Sequence, residues 1–144
     1  MKKGILGGLI GVSIVLSIDS LSRVFIALSL DTSILMFSYS EYDGFFWPIL
    51  LTAIAMVSAF AGALFSFTYG KSHKYSSILS YLFCLILLRY GQIHLLFDTE
   101  TIVYPVVALI LSLVAVFLAW KLVFPKPEIP KSNDENEEKY HTAN

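Results

Sequence analysis

The chain has 144 residues, of which 56% are hydrophobic and only 15% charged, and its mean hydropathy is +0.71. Soluble domains carry roughly 45–50% apolar and about 25% charged residues, so this composition excludes an ordinary water-soluble domain. The formal net charge of −1 is unevenly spread, and no basic stripe tracks a phosphate backbone, which excludes a nucleic-acid partner.

A hydrocarbon core about 30 Å thick is crossed by roughly 20 apolar helical residues. Four runs are long enough: residues 4–30, 45–69, 75–97 and 102–124. The first follows Met1-Lys2-Lys3 and opens GILGGLIGVSIVLS. That form also suits a secretory signal, with Val15 and Ser17 at a cleavage site. The apolar run resumes with VFIALSL and no soluble domain follows, so a retained span is expected. Gly4/Gly8 and Gly7/Gly11 are overlapped small-xxx-small pairs, the spacing that lets helix backbones approach in lipid.

Further along the same run, SIDSLSRVF places Asp19 and Arg23 one turn apart. At about 100° per residue they adjoin the face of Gly4, Gly8, Gly11 and Ser22, so the pair is expected to point at other helices. Ser13, Ser17 and Ser20 occupy a neighbouring stripe and widen that polar surface.

The connection 31–44, DTSILMFSYSEYDG, is the longest. Ile34, Leu35, Met36, Phe37, Tyr39 and Tyr42 are too apolar for a solvated loop and predict a segment lying on the membrane or over the bundle mouth. Helix 2 opens with Phe46, Trp47 and Pro48. It carries Ala55, Ala59 and Ala63 beside Ser58, Gly62 and Ser66 at four-residue spacing. After the turn KSHK, helix 3 shows a small stripe of Ser76, Ser80 and Cys84, then Arg89, Gly91, Gln92 and His94. After DTET, helix 4 starts with Tyr104 and Pro105 and carries Ala108, Ser112, Ala115 and Ala119. Both prolines fall in a first helical turn, where a missing N–H costs least. Residues 125–144, PKPEIPKSNDENEEKYHTAN, turn abruptly to proline and charge and are expected to form a disordered tail.

Residues 1–124 thus predict an all-α integral membrane domain of four transmembrane helices in an up-down-up-down bundle, in which tight turns make antiparallel neighbours. Lys2, Lys3, Lys71, Lys74, Lys121, Lys126 and Lys131 lie at one set of ends. Asp31, Glu41, Asp43, Asp98 and Glu100 lie at the other, without a basic residue. The positive-inside rule then places both termini in the cytoplasm. Tyr69, Tyr75 and Trp120 fall at inner ends and Phe46, Trp47 and Tyr104 at outer ones, as an aromatic belt requires. The short chain with minimal connections points to a bacterial inner membrane.

Depth along the helices links the buried charges. With helix 1 centred near Ser17 and helix 3 near Ile86, Asp19 and Arg89 both fall about 3–5 Å to the outer side of the midplane. Arg23 and Gln92 share a level about 9 Å out, and His94 is shallower still. An intramembrane cluster of Asp19, Arg23, Arg89, Gln92 and His94 is therefore expected, centred on an Asp19–Arg89 ion pair. Arg89 lies off the Ser76/Ser80/Cys84 stripe, which suits snorkelling to the surface. Its side chain leans toward the far, N-terminal end of its helix, and pairing is the preferred expectation.

Candidate packing residues are Gly4, Gly8, Gly11, Ala55, Ala59, Gly62, Ala108, Ser112 and Ala115. No facing histidine pair suits a b-type haem, the one cysteine, Cys84, has no partner for redox chemistry, and no metal-ligand or cofactor motif is present. No Ser-His-Asp set, phosphate loop or HExxH occurs either.

The expected partners are the bilayer and either another membrane protein or further copies of the chain. The favoured function is a non-enzymatic accessory or scaffold subunit of a membrane complex. The alternative is a homo-oligomeric small-solute or ion/proton transporter using the intramembrane cluster, since ionisable residues in a span are functional candidates. A third is a lipid- or quinone-modifying enzyme, with Asp19 or His94 as acid/base and the 31–44 loop as lid.

Overall fold

The computed structural model describes residues 2–30, 46–98 and 101–125. Within them lie four α-helices: α1 (Lys2–Leu30), α2 (Phe46–Tyr69), α3 (Lys74–Leu96) and α4 (Val103–Val123). A 3₁₀ turn at Lys71–His73 joins α2 to α3. All four helices are long and apolar enough to cross a membrane. The expected surface loop 31–44, nearly all of the expected tail and residues 99–100 of the last turn lie outside the described residues.

Pro48 and Pro105 are each third in their helix, where the backbone nitrogen has no acceptor within the helix in any case. The Thr52 hydroxyl donates back to the Pro48 carbonyl at 2.6 Å, which pairs that buried hydroxyl within its own helix. At the other end of α2, the Ser77 hydroxyl donates to the Ser66 carbonyl at 2.8 Å and lies 3.2 Å from the Ser66 hydroxyl. These contacts tie the last turn of α2 to the first turn of α3.

Helix direction alternates along the chain, but the tight turns do not create the closest neighbours. The extensive contacts are α1 with α2, α2 with α4, and α1 with α3; α3 approaches α2 and α4 in only a few places. Gly4 and Gly8 of α1 meet Ser76 and Ser80 of α3, so those two helices run parallel. Ala55 meets Ser112 and Phe67 meets Phe124, so α2 and α4 run parallel as well. The bundle is two parallel pairs joined along an antiparallel α1–α2 seam; the helices alternate in direction as expected, but the pairs joined by the tight turns, α2–α3 and α3–α4, touch only in part.

Small residues explain the choice. The two glycine pairs of α1 face different helices: Gly4 and Gly8 lie against α3, Gly7 and Gly11 against Ser66 and Gly62 of α2. At the seam the approach is reciprocal. A Cβ on Gly11 would stand 2.6 Å from the Gly62 carbonyl oxygen, and one on Gly62 would stand 2.5 Å from that of Gly11. Ala55, Ala59 and Ala63 of α2 and Ala108, Ala115 and Ala119 of α4 are all buried along the other close contact. Between α2 and α3, by contrast, lie Tyr81, Leu85 and Arg89, all fully buried, and such long side chains hold the axes apart. Tyr81 bridges that gap with a 2.7 Å bond from its hydroxyl to the Ala59 carbonyl, its ring edge-on to Phe67.

The outer surface is apolar. Phe25, Leu28, Leu79, Phe83 and Leu122 are mostly exposed, a distribution suited to hydrocarbon surroundings. Ser13 and Ser17 also face outward, each hydroxyl bonded to the carbonyl four residues back at 3.0 and 2.9 Å. Of the stripe expected to widen the polar surface beside Asp19, Ser13 and Ser17 thus satisfy their hydroxyls within α1, while Ser20 is half-buried.

Candidate functional site

Three helices converge on a polar knot in the half of the bundle remote from the lysine-rich end. Each has a local reason to supply its part. α1 turns one face inward from Gly4 through Gly11 and Val15, and the same face carries Asp19 and then Arg23. α2 offers Ala55, Ser58 and Ala59, residues too small to cover their own backbone. α3 buries the row Ser77, Tyr81, Leu85, Arg89, Gln92, Leu96, a three-to-four residue spacing that keeps one face inward.

Asp19 and Arg89 form an ion pair at 3.0 Å, Oδ2 to Nη1, with both side chains almost wholly buried. The other carboxylate oxygen, Oδ1, accepts a 2.6 Å hydrogen bond from the Ser58 hydroxyl. Arg89 Nη1 also donates to Gln92 Oε1 at 2.8 Å, and Nη2 donates to the Ala55 carbonyl at 3.1 Å. α4 reaches the edge of the knot through Ser112, whose hydroxyl donates to Ala108 at 2.7 Å and lies 3.4 Å from the Ala55 carbonyl. Two buried donors, Arg89 Nε and Gln92 Nε2, meet no acceptor among the described residues.

Removing two charges from water is costly, and their attraction offsets the cost only where hydrogen bonds occupy the remaining polar positions. Here a hydroxyl, an amide oxygen and a main-chain carbonyl occupy most of those positions, with Arg89 Nε the exception. The carboxylate is thereby fixed by α1, α2 and α3 at once. Chemically the arrangement is a register lock: sliding α1 or α3 by one residue would separate the charged partners, and sliding α2 would take Ser58 and the Ala55 carbonyl from them.

Of the sequence-based candidates, Asp19, Arg89 and Gln92 come together directly, and Arg23 is buried four residues beyond Asp19 on the same face of α1. Arg89 lies one position around α3 from the Ser76/Ser80/Cys84 stripe and is 1% exposed, which leaves no place for the snorkelling alternative. His94 does not join. It is exposed on α3, beside Tyr90 at 6.4 Å between ring centroids, because two residues beyond Gln92 is about 200° around the helix. The nine packing residues from Gly4 to Ala115 are all buried.

Sequence reasoning missed the hydrogen-bonding role of Ser58, read there as packing, and the Ala55 carbonyl as an acceptor for Arg89. The signal was the lack of side-chain bulk on that face of α2, which leaves a carbonyl within reach of a guanidinium.

Grooves on the bundle lie elsewhere. One of about 660 Å³ runs between α1 and α2, lined by Leu21, Phe25, Phe46, Trp47 and their neighbours. Another surrounds Tyr90, His94 and Asp98. Neither is lined by Asp19, Arg89 or Gln92. Comparison of the chain with protein families, with characterised proteins and with solved structures finds no match.

Proposed function

We propose that the chain spans a bacterial inner membrane with both ends in the cytoplasm and acts as a non-enzymatic accessory or scaffold subunit of a larger membrane complex. One observation carries this reading: both oxygens of Asp19 are held by protein groups, Ser58 and Arg89, inside the bundle. A carboxylate locked in this way fixes helix register and presents no free acid or base. The orientation is supported by Lys2, Lys3, Lys71, Lys74 and Lys121 at one end of the helices, with Asp98 at the other, through the bias of basic residues toward the cytoplasm.

Native mass spectrometry on tagged protein, gently solubilised from its own host, tests the proposal. The expected result is a defined complex with a different polypeptide. A homo-oligomer alone would overturn it.

That second outcome would favour a homo-oligomeric small-solute or ion transporter, a reading supported by Arg89 Nε and Gln92 Nε2. Both are buried donors without a protein acceptor among the described residues, and a passing anion or water would satisfy them. Its mark is loss of solute flux in Asp19 or Arg89 variants that still fold.

A further inference from the structure

We propose that Lys74, Lys121 and Trp120 form a binding site for the headgroup of an anionic phospholipid. The site lies at the lysine-rich end, where the first residue of α3 reaches the last turns of α4. Lys74 Nζ stands 5.8 Å from the ring centroid of Trp120 and 5.0 Å from that of Phe124. Lys121 Nζ stands 4.7 Å from the Phe117 ring. Stacking on aromatic faces holds an ammonium in place without neutralising its charge, so its N–H donors remain available to an anion.

Beside Lys121 runs a groove of about 600 Å³ lined by Phe117, Trp120, Lys121, Phe124 and Pro125, and Lys74 stacks on two of its walls, Trp120 and Phe124. Its charge is uncompensated among the described residues, whose only acids are Asp19 in the core and Asp98 at the opposite end. One cation suffices to complement the carbonyl end of α4, which leaves the second lysine and the groove without a role inside the bundle.

The apolar surface distinguishes a lipid from a free anion. Below Lys121, Phe117, Val114 and Ile110 are exposed on α4, one turn apart and therefore in line. A headgroup between the lysines would lay its acyl chains along this stripe. Basic pockets between helices at a membrane surface recognise anionic headgroups by this combination. The inference rests on the bilayer setting proposed above but not on the scaffold role.

The test uses the full chain in neutral detergent, offered phosphatidylglycerol, phosphatidylcholine of the same acyl chains, or inorganic phosphate, and read by retained adducts in native mass spectrometry. Phosphatidylglycerol should be retained in preference to phosphatidylcholine. The adduct should be lost in Lys74→Gln/Lys121→Gln and kept in Lys74→Arg/Lys121→Arg and in Lys2→Gln/Lys3→Gln. Retention by the glutamine variant overturns the proposal. So does full competition by inorganic phosphate, which would make the site one for a free anion. If the glutamine variant does not fold, the unaltered chain still decides, because equal retention of the two lipids is also a refutation. A chain that holds a protein partner but shows no lipid preference would refute this site and leave the scaffold reading standing.

Discussion

At the lysine-rich end, helices meet backbone to backbone. Gly4 and Gly8 admit Ser76 and Ser80 of α3, and Gly11 and Gly62 bring α1 and α2 together so closely that neither has room for a methyl group. Toward the other end the same α1 face carries Asp19 and Arg23, α3 stands off from α2, and Arg89 fills the space between them. Small residues remove the gap between helices; long polar ones span it. The first kind of contact relies on dispersion and shape and needs no polar partner. The second depends on each polar atom finding the right neighbour.

The largest effect should come from breaking the spanning contact on one side. Asp19→Asn leaves the Arg89 guanidinium buried without its counter-charge, at an expected cost of about 3–5 kcal/mol. Thermal or denaturant unfolding in detergent measures it, with the exposed Asp98→Asn as a near-neutral control. Equal stability of the two variants would end the idea that the ion pair holds the bundle. Replacing both partners, as Asp19→Leu/Arg89→Met, should recover much of the loss, since a buried pair exchanged for apolar side chains is often neutral.

The close approach is tested next. Gly62→Ala pushes a methyl against the Gly11 carbonyl, the Tyr81 hydroxyl and Val15, and overpacking of this kind costs about 1–3 kcal/mol. A melt as stable as the parent's would mean that the seam is softer than its geometry implies.

A smaller effect is expected from Tyr81→Phe, which removes the bond to the Ala59 carbonyl. Interhelical hydrogen bonds of this type in membrane bundles average about 0.6 kcal/mol, so a drop comparable with that of Asp19→Asn would contradict the division drawn here. One change should have the opposite sign. An added Cβ on Gly91 meets nothing within 4 Å, and alanine is favoured over glycine within a helix by about 1 kcal/mol. Gly91→Ala should therefore melt at or above the parent temperature.

The spans were legible because hydropathy and length suffice for them, and the inward face of α1 was legible because glycine and charge share one stripe. Depth alone put Asp19 level with Arg89, and the two side chains are 3.0 Å apart. Helix partnership was not legible. Periodicity shows which face is buried but not what covers it, so the connections KSHK and DTET suggested neighbours where the small residues dictated others. For α3 the small stripe of Ser76, Ser80 and Cys84 was read as the backbone-approach face of the interface. It is one edge of it, against α1; the other edge buries Tyr81, Leu85 and Arg89 because α2 lies further away. Ser58 was hidden for a related reason: a serine among alanines reads as small until a carboxylate is placed opposite it.

The antiparallel seam also bears on how the protein is made. Synthesis delivers α1 and α2 before α3 and α4, and chains organise from their N-terminal parts as they emerge. The α1–α2 hairpin is complete in its own glycine contacts, and Asp19 already has the Ser58 hydroxyl to hold it. α3 can then dock along α1 and α4 along α2, without reopening what has formed. The carboxylate's first partner on another helix is a hydroxyl of α2, and the Arg89 guanidinium arrives only with the third.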